Sequence, residues 1–186
     1  AHLDEDGACE ALLPEKDVDG ITRASAFGVY ANREVGFAPC TAEACVRLLD
    51  HYGVALEGAE VAVVGRSLVI GKPVSMLLQA RGATVTMCHS KTQDLPSVCR
   101  RAGVIVVAVG HPGTVGAAHV RGGQTVVDVG INWSEEQGRL VGDVSFDEVE
   151  TKVSAITPVP GGVGSVTVAV LAEHVVRAAE RSVCKR

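Results

Sequence analysis

The stretch VAVVGRSLVIGKP, residues 61–73, carries a β-branched run through a glycine turn into a segment of helical composition. In that order the N–H groups of the turn and of the helix start face the same way, an arrangement that holds a phosphate. The spacing is not GxGxxG, because Ser67 stands where the second glycine would be. Nor is it a P-loop: five residues separate Gly65 from Gly71, and Pro73 stands where a hydroxyl should bind magnesium. An ordinary β–α turn can contain the same glycine. Arg66 and Ser67 at the carboxyl end of the first strand favour a ligand site, because open α/β sheets bind their ligands at that edge.

A sheet that binds NAD places a carboxylate about 20 residues past the glycine turn, against the ribose hydroxyls. Here that place reads CHSKT, residues 88–92, and the next carboxylate is Asp94. A hydroxyl beside a cation, with Arg66 close by, suits a 2′-phosphate, so NADP is expected rather than NAD. For Lys91 taken alone, a solvated polar loop would be an equal explanation.

Three more loops fall at strand ends: VGHPGTV (109–115), VGINW (129–133) and SAITPVPGGVG (154–164). Gly110 allows close backbone approach to a flat ring. His111 has no partner carboxylate in its loop and reads as structural or solvated before it reads as a base. Asp128, inside a buried strand, is expected to fix a neighbouring loop. In the last stretch Pro158, Pro160, Gly161, Gly162 and Gly164 make a loop fixed by proline and flattened by glycine. Such a loop can wall a planar ligand, since side chains would hold rings away. The same residues would break the helix that a membrane span needs, so no span is expected here.

The elements that must position these loops follow from periodicity. Residues 61–65, 84–88, 104–109 and 125–130 are short β-branched runs, expected as strands buried on both faces. Helical segments at 72–82 and 95–103 alternate with them, which predicts an α/β fold with a Rossmann-like, doubly wound parallel sheet. Residues 139–152 predict one more extended run and a helix, and 165–182 a final helix. Upstream, a short helix ends near Leu13, the polar turn PEKDVDG (14–20) follows, and residues 39–53 predict a helix. Thr41 is its expected N-cap, Glu43 falls in its first turn and Gly53 at its C-terminal cap.

At 186 residues the chain fits one domain, or one plus part of another, and its net charge of -5 argues against non-specific nucleic-acid or membrane binding. Six cysteines without a CxxC pair read as free thiols of a reducing cytoplasm, and no metal site is expected. No signal peptide is visible, and a start at Ala1 without Met reads as a fragment or a processed product.

PEKDVDG, PCTAEA, VVGRSLVIGKPVSMLL, ATVTMCHSKT, VGHPG, VVDVGIN, LVGDVSFDEV and ITPVPGGVG occur together in this order, and nearly the whole chain resembles the bifunctional methylenetetrahydrofolate dehydrogenase/methenyltetrahydrofolate cyclohydrolase family. The resemblance implies an NADP-binding Rossmann domain joined by two long helices to a folate-binding domain, with the active site in the cleft between them. It implies residues 1–40 as a remnant of the truncated folate-binding α/β domain, 41–155 as the Rossmann domain, and 156–186 as the cleft loop and returning helix.

By the same resemblance, Gly65, Arg66, Ser67, Ser90 and Ile131 are cofactor contacts, with Ser90 on the 2′-phosphate and Ile131 at the nicotinamide end. Asp19, Pro160, Gly161, Gly162, Val163 and Gly164 face the folate. The implied partners are tetrahydrofolate derivatives and a second copy of the chain, docked through the Rossmann domains. The implied chemistry is oxidation of 5,10-methylenetetrahydrofolate and hydrolysis of the product to 10-formyltetrahydrofolate.

Two departures stand out. Ser165-Val166-Thr167 replaces the family's Pro-Met-Thr, and Ser165 is expected to cap the following helix. The family's YxxxK pair is missing, since Tyr30 is followed by Glu34 and Tyr52 by Leu56. No catalytic residue is therefore assigned, and the chain is expected to bind NADP yet oxidise the folate poorly. The alternatives are a different Rossmann NADP-dependent oxidoreductase and a non-catalytic nucleotide-binding or oligomerisation module.

Overall fold

Continuous valine and isoleucine runs bury both faces of a strand only when helices cover each side of the sheet. In the computed structural model, which describes residues 4–184, β1 (Glu60–Val64), β2 (Thr84–Cys88), β3 (Val104–Val107) and β4 (Thr125–Asp128) form a parallel sheet in the order β2-β1-β3-β4. After β4 the chain makes a separate antiparallel hairpin, β5 (Asn132–Ser134) with β6 (Arg139–Val141). It then adds a two-residue parallel strand, β7 (Ala155–Ile156), beside β4. β1, β3 and β4 are buried as expected, but β2 is an edge strand with Thr84 and Thr86 exposed.

Helices cover both faces. On one, α3 (Cys40–His51), α4 (Gly71–Ala80) and α7 (Val163–Cys184) pack Leu49, Val74, Leu78 and Val170 against Val61, Val63 and Val106. On the other, α5 (Leu95–Arg101) and α6 (Phe146–Val149) cover Val64, Ile105, Val107 and Val126. Each such fully buried side chain contributes about 1.5–3 kcal/mol against exposure. The doubly wound fold predicted from periodicity is thus formed.

The N-terminal reading needs more correction. α1 (Glu5–Ala11) is capped by the Asp4 carboxylate, which accepts from Gly7 N–H at 2.9 Å. His2 and Leu3 of that reading, and the thiol of Cys184, lie outside the described residues. A stretch with no clear period holds α2 (Arg23–Ala31), capped by the Thr22 hydroxyl, which accepts from Ser25 N–H at 3.2 Å. α3 starts at Cys40, so Thr41 lies inside it and is not its cap. The residue in the cap position is Pro39, which offers no acceptor, and the Asp19 carboxylate takes the Cys40 N–H instead at 3.2 Å. Gly53 follows the helix with φ 65°, as expected of a C-terminal glycine. α7 starts at Val163, which puts Ser165 in its first turn rather than at its cap. Among the described residues no helix is long and apolar enough to cross a membrane.

Candidate functional site

The parallel register pairs Val64 with Cys88, so β1 and β2 end at the same level. Gly65 N–H continues the ladder to the Cys88 carbonyl at 2.9 Å. Arg66 and Ser67 leave one strand here and Ser90 and Lys91 the other, all four exposed. Gly65 has φ 131°, and a Cβ there would lie 2.2 Å from the Ala108 carbonyl oxygen. Only glycine fits that turn. The Ser67 hydroxyl accepts from the N–H groups of Ile70 and Gly71 at 3.1 and 3.3 Å, which ties the turn to the start of α4. At the neighbouring tip the Thr92 hydroxyl accepts from His89 N–H at 2.8 Å, and His89 Nδ1 accepts from Lys91 N–H at 3.1 Å. This compact turn leaves Ser90 exposed next to Lys91.

A second region lies across the same edge. Ile131 and residues Pro160, Gly161, Gly162, Val163 and Gly164 line one cavity of about 440 Å³, closed by Thr41, Ile70 and Asp128. Ile70 belongs to the turn after β1, so that turn reaches both regions. Cβ atoms at Gly161 and Gly164 would meet nothing within 4 Å, which leaves the loop open towards the cavity. Gly162 is different, because a Cβ there would sit 2.5 Å from the Pro158 carbonyl oxygen. The Val159–Pro160 peptide bond is cis. A larger cavity of about 530 Å³ lies beneath the β5–β6 hairpin and contains none of the sequence-predicted contacts.

Asp19 does not line the 440 Å³ cavity. It sits at the start of α3, one residue from the cavity-lining Thr41 by way of its bond to Cys40. Its loop is held from beneath by Asp17, which is 1 % exposed and accepts from Ile21 N–H, Thr22 N–H and the Ser25 hydroxyl. Burial pushes the Asp17 carboxyl up, but these donors outweigh it and hold the group below the usual range.

Two buried aspartates shape the loops after β3 and β4. Asp128 accepts from Gly130 and Asp143 N–H with one oxygen and from Val144 N–H with the other, each at 3.0 Å. The loop-fixing role read from sequence is what the structure shows. Burial lifts its carboxyl above the usual range; the three N–H groups offset part of that and the nearby Asp143 charge adds to it. Sequence reasoning gave Asp143 no role, yet it accepts from Val109, Gly110 and the Asn132 amide. The signal was available in VGDV, which like VVDVG sets a carboxylate among β-branched residues beside a glycine at a strand end. His111, in contrast, is exposed, as expected of a solvated loop residue.

A cluster of Cys40, His174 and Glu43 has the order of nucleophile, base and orienting acid. Cys40 Sγ is 3.6 Å from His174 Nδ1, and Nε2 is 3.0 Å from Glu43 Oε2. The geometry argues against nucleophilic chemistry. His174 Nδ1 lies 2.8 Å from the Val18 carbonyl oxygen, so both ring nitrogens face oxygen acceptors and neither offers a lone pair to the thiol. Burial, with Asp19 and Glu43 nearby, pushes the Cys40 thiol up to about 12. The cluster is a tie between α3, α7 and the loop that carries Asp19.

The comparisons with known proteins agree with this geometry. The tetrahydrofolate dehydrogenase/cyclohydrolase NAD(P)-binding domain family matches residues 39–183. A bifunctional protein FolD of Carboxydothermus hydrogenoformans is 50% identical over 180 residues, covering 96% of this chain and 63% of its own length. The Nocardia farcinica FolD is 52% identical over 176 residues, covering 95% and 62%. The crystal structure of the Campylobacter jejuni FolD dehydrogenase/cyclohydrolase superposes with a TM-score of 0.93 at 42% identity, over 97% of this chain and 64% of that one. That of the Trypanosoma brucei FolD, complexed with NADP cofactor and inhibitor, gives 0.89 at 39% identity, over 98% and 64%. The chain thus spans about 63% of the length of the curated relatives it matches. With its sheet, its glycine turn and its proline–glycine loop all in place, this chain belongs to the tetrahydrofolate dehydrogenase/cyclohydrolase family, of which it carries the NAD(P)-binding domain.

Proposed function

We propose that the chain is the NADP-binding part of a methylenetetrahydrofolate dehydrogenase/methenyltetrahydrofolate cyclohydrolase. One observation carries this reading: a cation- and hydroxyl-bearing edge at β1 and β2 lies on the same side of the sheet as the flat-walled cavity of Ile131 and residues 160–164. The donor set fits NADP, because Arg66, Ser90 and Lys91 can surround a 2′-phosphate and no carboxylate stands among them. When bound, the nicotinamide of the cofactor would accept the hydride from the methylene carbon of the folate.

The residues of the chain bind and orient. Gly65, Arg66 and Ser67 form the turn against the pyrophosphate, with the α4 N-terminus behind it. Ile131 backs the nicotinamide end. The 160–164 loop and Asp19 hold the pterin at near-attack distance, and the apolar cavity keeps water away until the second step. In the same reading α3 and α7 connect residues 41–155 to the folate-binding part, of which residues 1–40 are a remnant and towards which the cleft loop and helix of 156–186 return. Exposed Trp133 and Leu140 on the hairpin support association of two copies through this domain. The free thiols among the described residues suit a cytoplasmic setting.

Isothermal titration of the chain with NADP and NAD tests the reading. NADP is expected to bind at least about tenfold more tightly, the worth of one charge-assisted hydrogen bond. Absence of heat from both dinucleotides overturns it. Folate-dependent NADPH formation by the chain, set against a longer protein that includes a YxxxK helix, tests whether that step needs residues not found here.

A further inference from the structure

We propose that Asp143 is a positioning residue that sets the two loops at the nicotinamide end of the cleft as one unit, an inference that rests on the NADP reading above. Asp143 is fully buried, and each hydrogen bond that its carboxylate accepts comes from one of those loops. Its Oδ2 accepts from Val109 N–H at 2.6 Å and Gly110 N–H at 2.9 Å, the second and third residues past β3. Its Oδ1 accepts from the Asn132 amide at 2.9 Å, just past Ile131. Its own N–H goes to Asp128, which also takes Gly130 N–H. Ile131 is therefore gripped on both sides, through Gly130 and Asn132, while its side chain stays 64% exposed at the cavity.

The packing leaves no slack. A Cβ at Gly130 would lie 2.3 Å from Asp143 Cγ, and one at Gly142 would lie 1.9 Å from Asp128 Oδ2. Loops pinned this closely cannot shift separately without breaking a buried charge-assisted bond. The phosphate-binding edge at β1 and β2 makes no hydrogen bond to Asp143 among the described residues. A change at Asp143 should accordingly be felt by the nicotinamide half of the ligand and not by the adenosine half.

Three variants test this by titration with NADP and with adenosine 2′,5′-bisphosphate, which reaches only the β1–β2 edge. Asp143→Asn leaves one accepting oxygen for two loops and turns an N–H₂ towards a donor. It is expected to weaken NADP about tenfold while changing the bisphosphate less than about twofold. Asn132→Ala removes one arm and is expected to weaken NADP about threefold with the bisphosphate unchanged. The double variant Asn132→Asp with Asp143→Asn moves the charge one partner over. The new carboxylate at position 132 can accept from the new amide at 143, whose oxygen keeps Val109 and Gly110. It is expected to recover NADP binding to within about threefold of the wild type.

If Asp143→Asn does not fold, Asn132→Ala and the double variant decide the matter. Equal losses for both ligands, unchanged NADP affinity in every folded variant, or a double variant no better than the single overturns the positioning role. A wild-type chain that binds neither ligand overturns the NADP reading itself, and this role with it.

Discussion

Gly71 starts α4 directly against the backbone of Gly65: a Cβ on residue 71 would lie 2.4 Å from the Gly65 carbonyl oxygen. Both atoms belong to main chain or to a fixed Cβ, so neither can rotate away. Gly71→Ala is expected to cost about 1–3 kcal/mol of stability, read as a lower urea midpoint at unchanged slope. Gly164→Ala makes the contrast, since a Cβ there meets nothing within 4 Å and the position is helical. It should be neutral or stabilising by about 0.5–1 kcal/mol. It should still hinder a flat ligand, because Gly164 faces the cavity. Equal stability of the two variants would contradict the close approach.

The β1–β2 edge yields a prediction about specificity. Arg66→Ala and Ser90→Ala each remove a donor from the proposed 2′-phosphate position and leave the sheet untouched, since both residues are exposed. NADP affinity is expected to fall about 10–100-fold for Arg66→Ala and about 3–10-fold for Ser90→Ala, with NAD affinity nearly constant. Parallel titrations of both dinucleotides check this. Equal losses for NADP and NAD would move the phosphate elsewhere.

Cysteine reactivity separates the tie at His174 from an active centre. Cys40, Cys45, Cys88 and Cys99 are buried, and burial pushes the thiols of Cys40, Cys45 and Cys99 up to about 12. In the native chain, iodoacetamide at neutral pH is expected to label Cys9 well before any of these four, as followed by peptide mass spectrometry. Fast native labelling of Cys40 would mean that His174 does activate it.

Much of this was legible in sequence, for reasons that differ by element. β1, β3 and β4 were visible because strands covered on both faces must be continuously apolar, and α4 and α5 because each lies between such runs. The 160–164 loop announced itself through residues with restricted or unusual backbone freedom. α2 was hidden: its only start signal is Thr22, and RASAFGVYA has no strong apolar stripe. The start of α3 was misjudged because its cap comes from Asp19, 21 residues upstream, and a local pattern cannot show a cap supplied at a distance. For Asp143 the local pattern VGDV marks a loop-fixing carboxylate, but not its partners Val109 and Gly110, which lie more than 30 residues away.

The His174–Glu43 pair gives the chain a stability that depends on acid pH. Burial raises the Glu43 carboxyl, but hydrogen bonds from His174 and Arg47 outweigh it and hold the group below its ordinary 4.5. Asp17 is likewise held below 3.8 by its donors. A carboxyl lowered in the folded chain binds protons more readily when unfolded, so its contribution is complete above the ordinary value and is lost as pH falls through the folded one. Asp128, raised above 3.8 first by burial, acts in the opposite sense: its ionisation opposes folding as pH rises from 3.8 through its raised folded value. The Glu43 contribution can be isolated with Glu43→Gln, which keeps the shape and cannot ionise. The difference in unfolding free energy between wild type and Glu43→Gln, from urea titrations at several pH values, should be largest near neutrality and shrink as pH falls below 4.5 towards the lowered folded value. His174→Ala removes one donor each from the Val18 carbonyl and Glu43 Oε2, while the Cys40 thiol and Arg47 still reach the Val18 carbonyl and Glu43 Oε1, and should cost about 1–3 kcal/mol near neutral pH. A Glu43→Gln difference that stayed constant across the acid range would show that the pair carries no net charge coupling, and that the tie between α3 and α7 rests on packing alone.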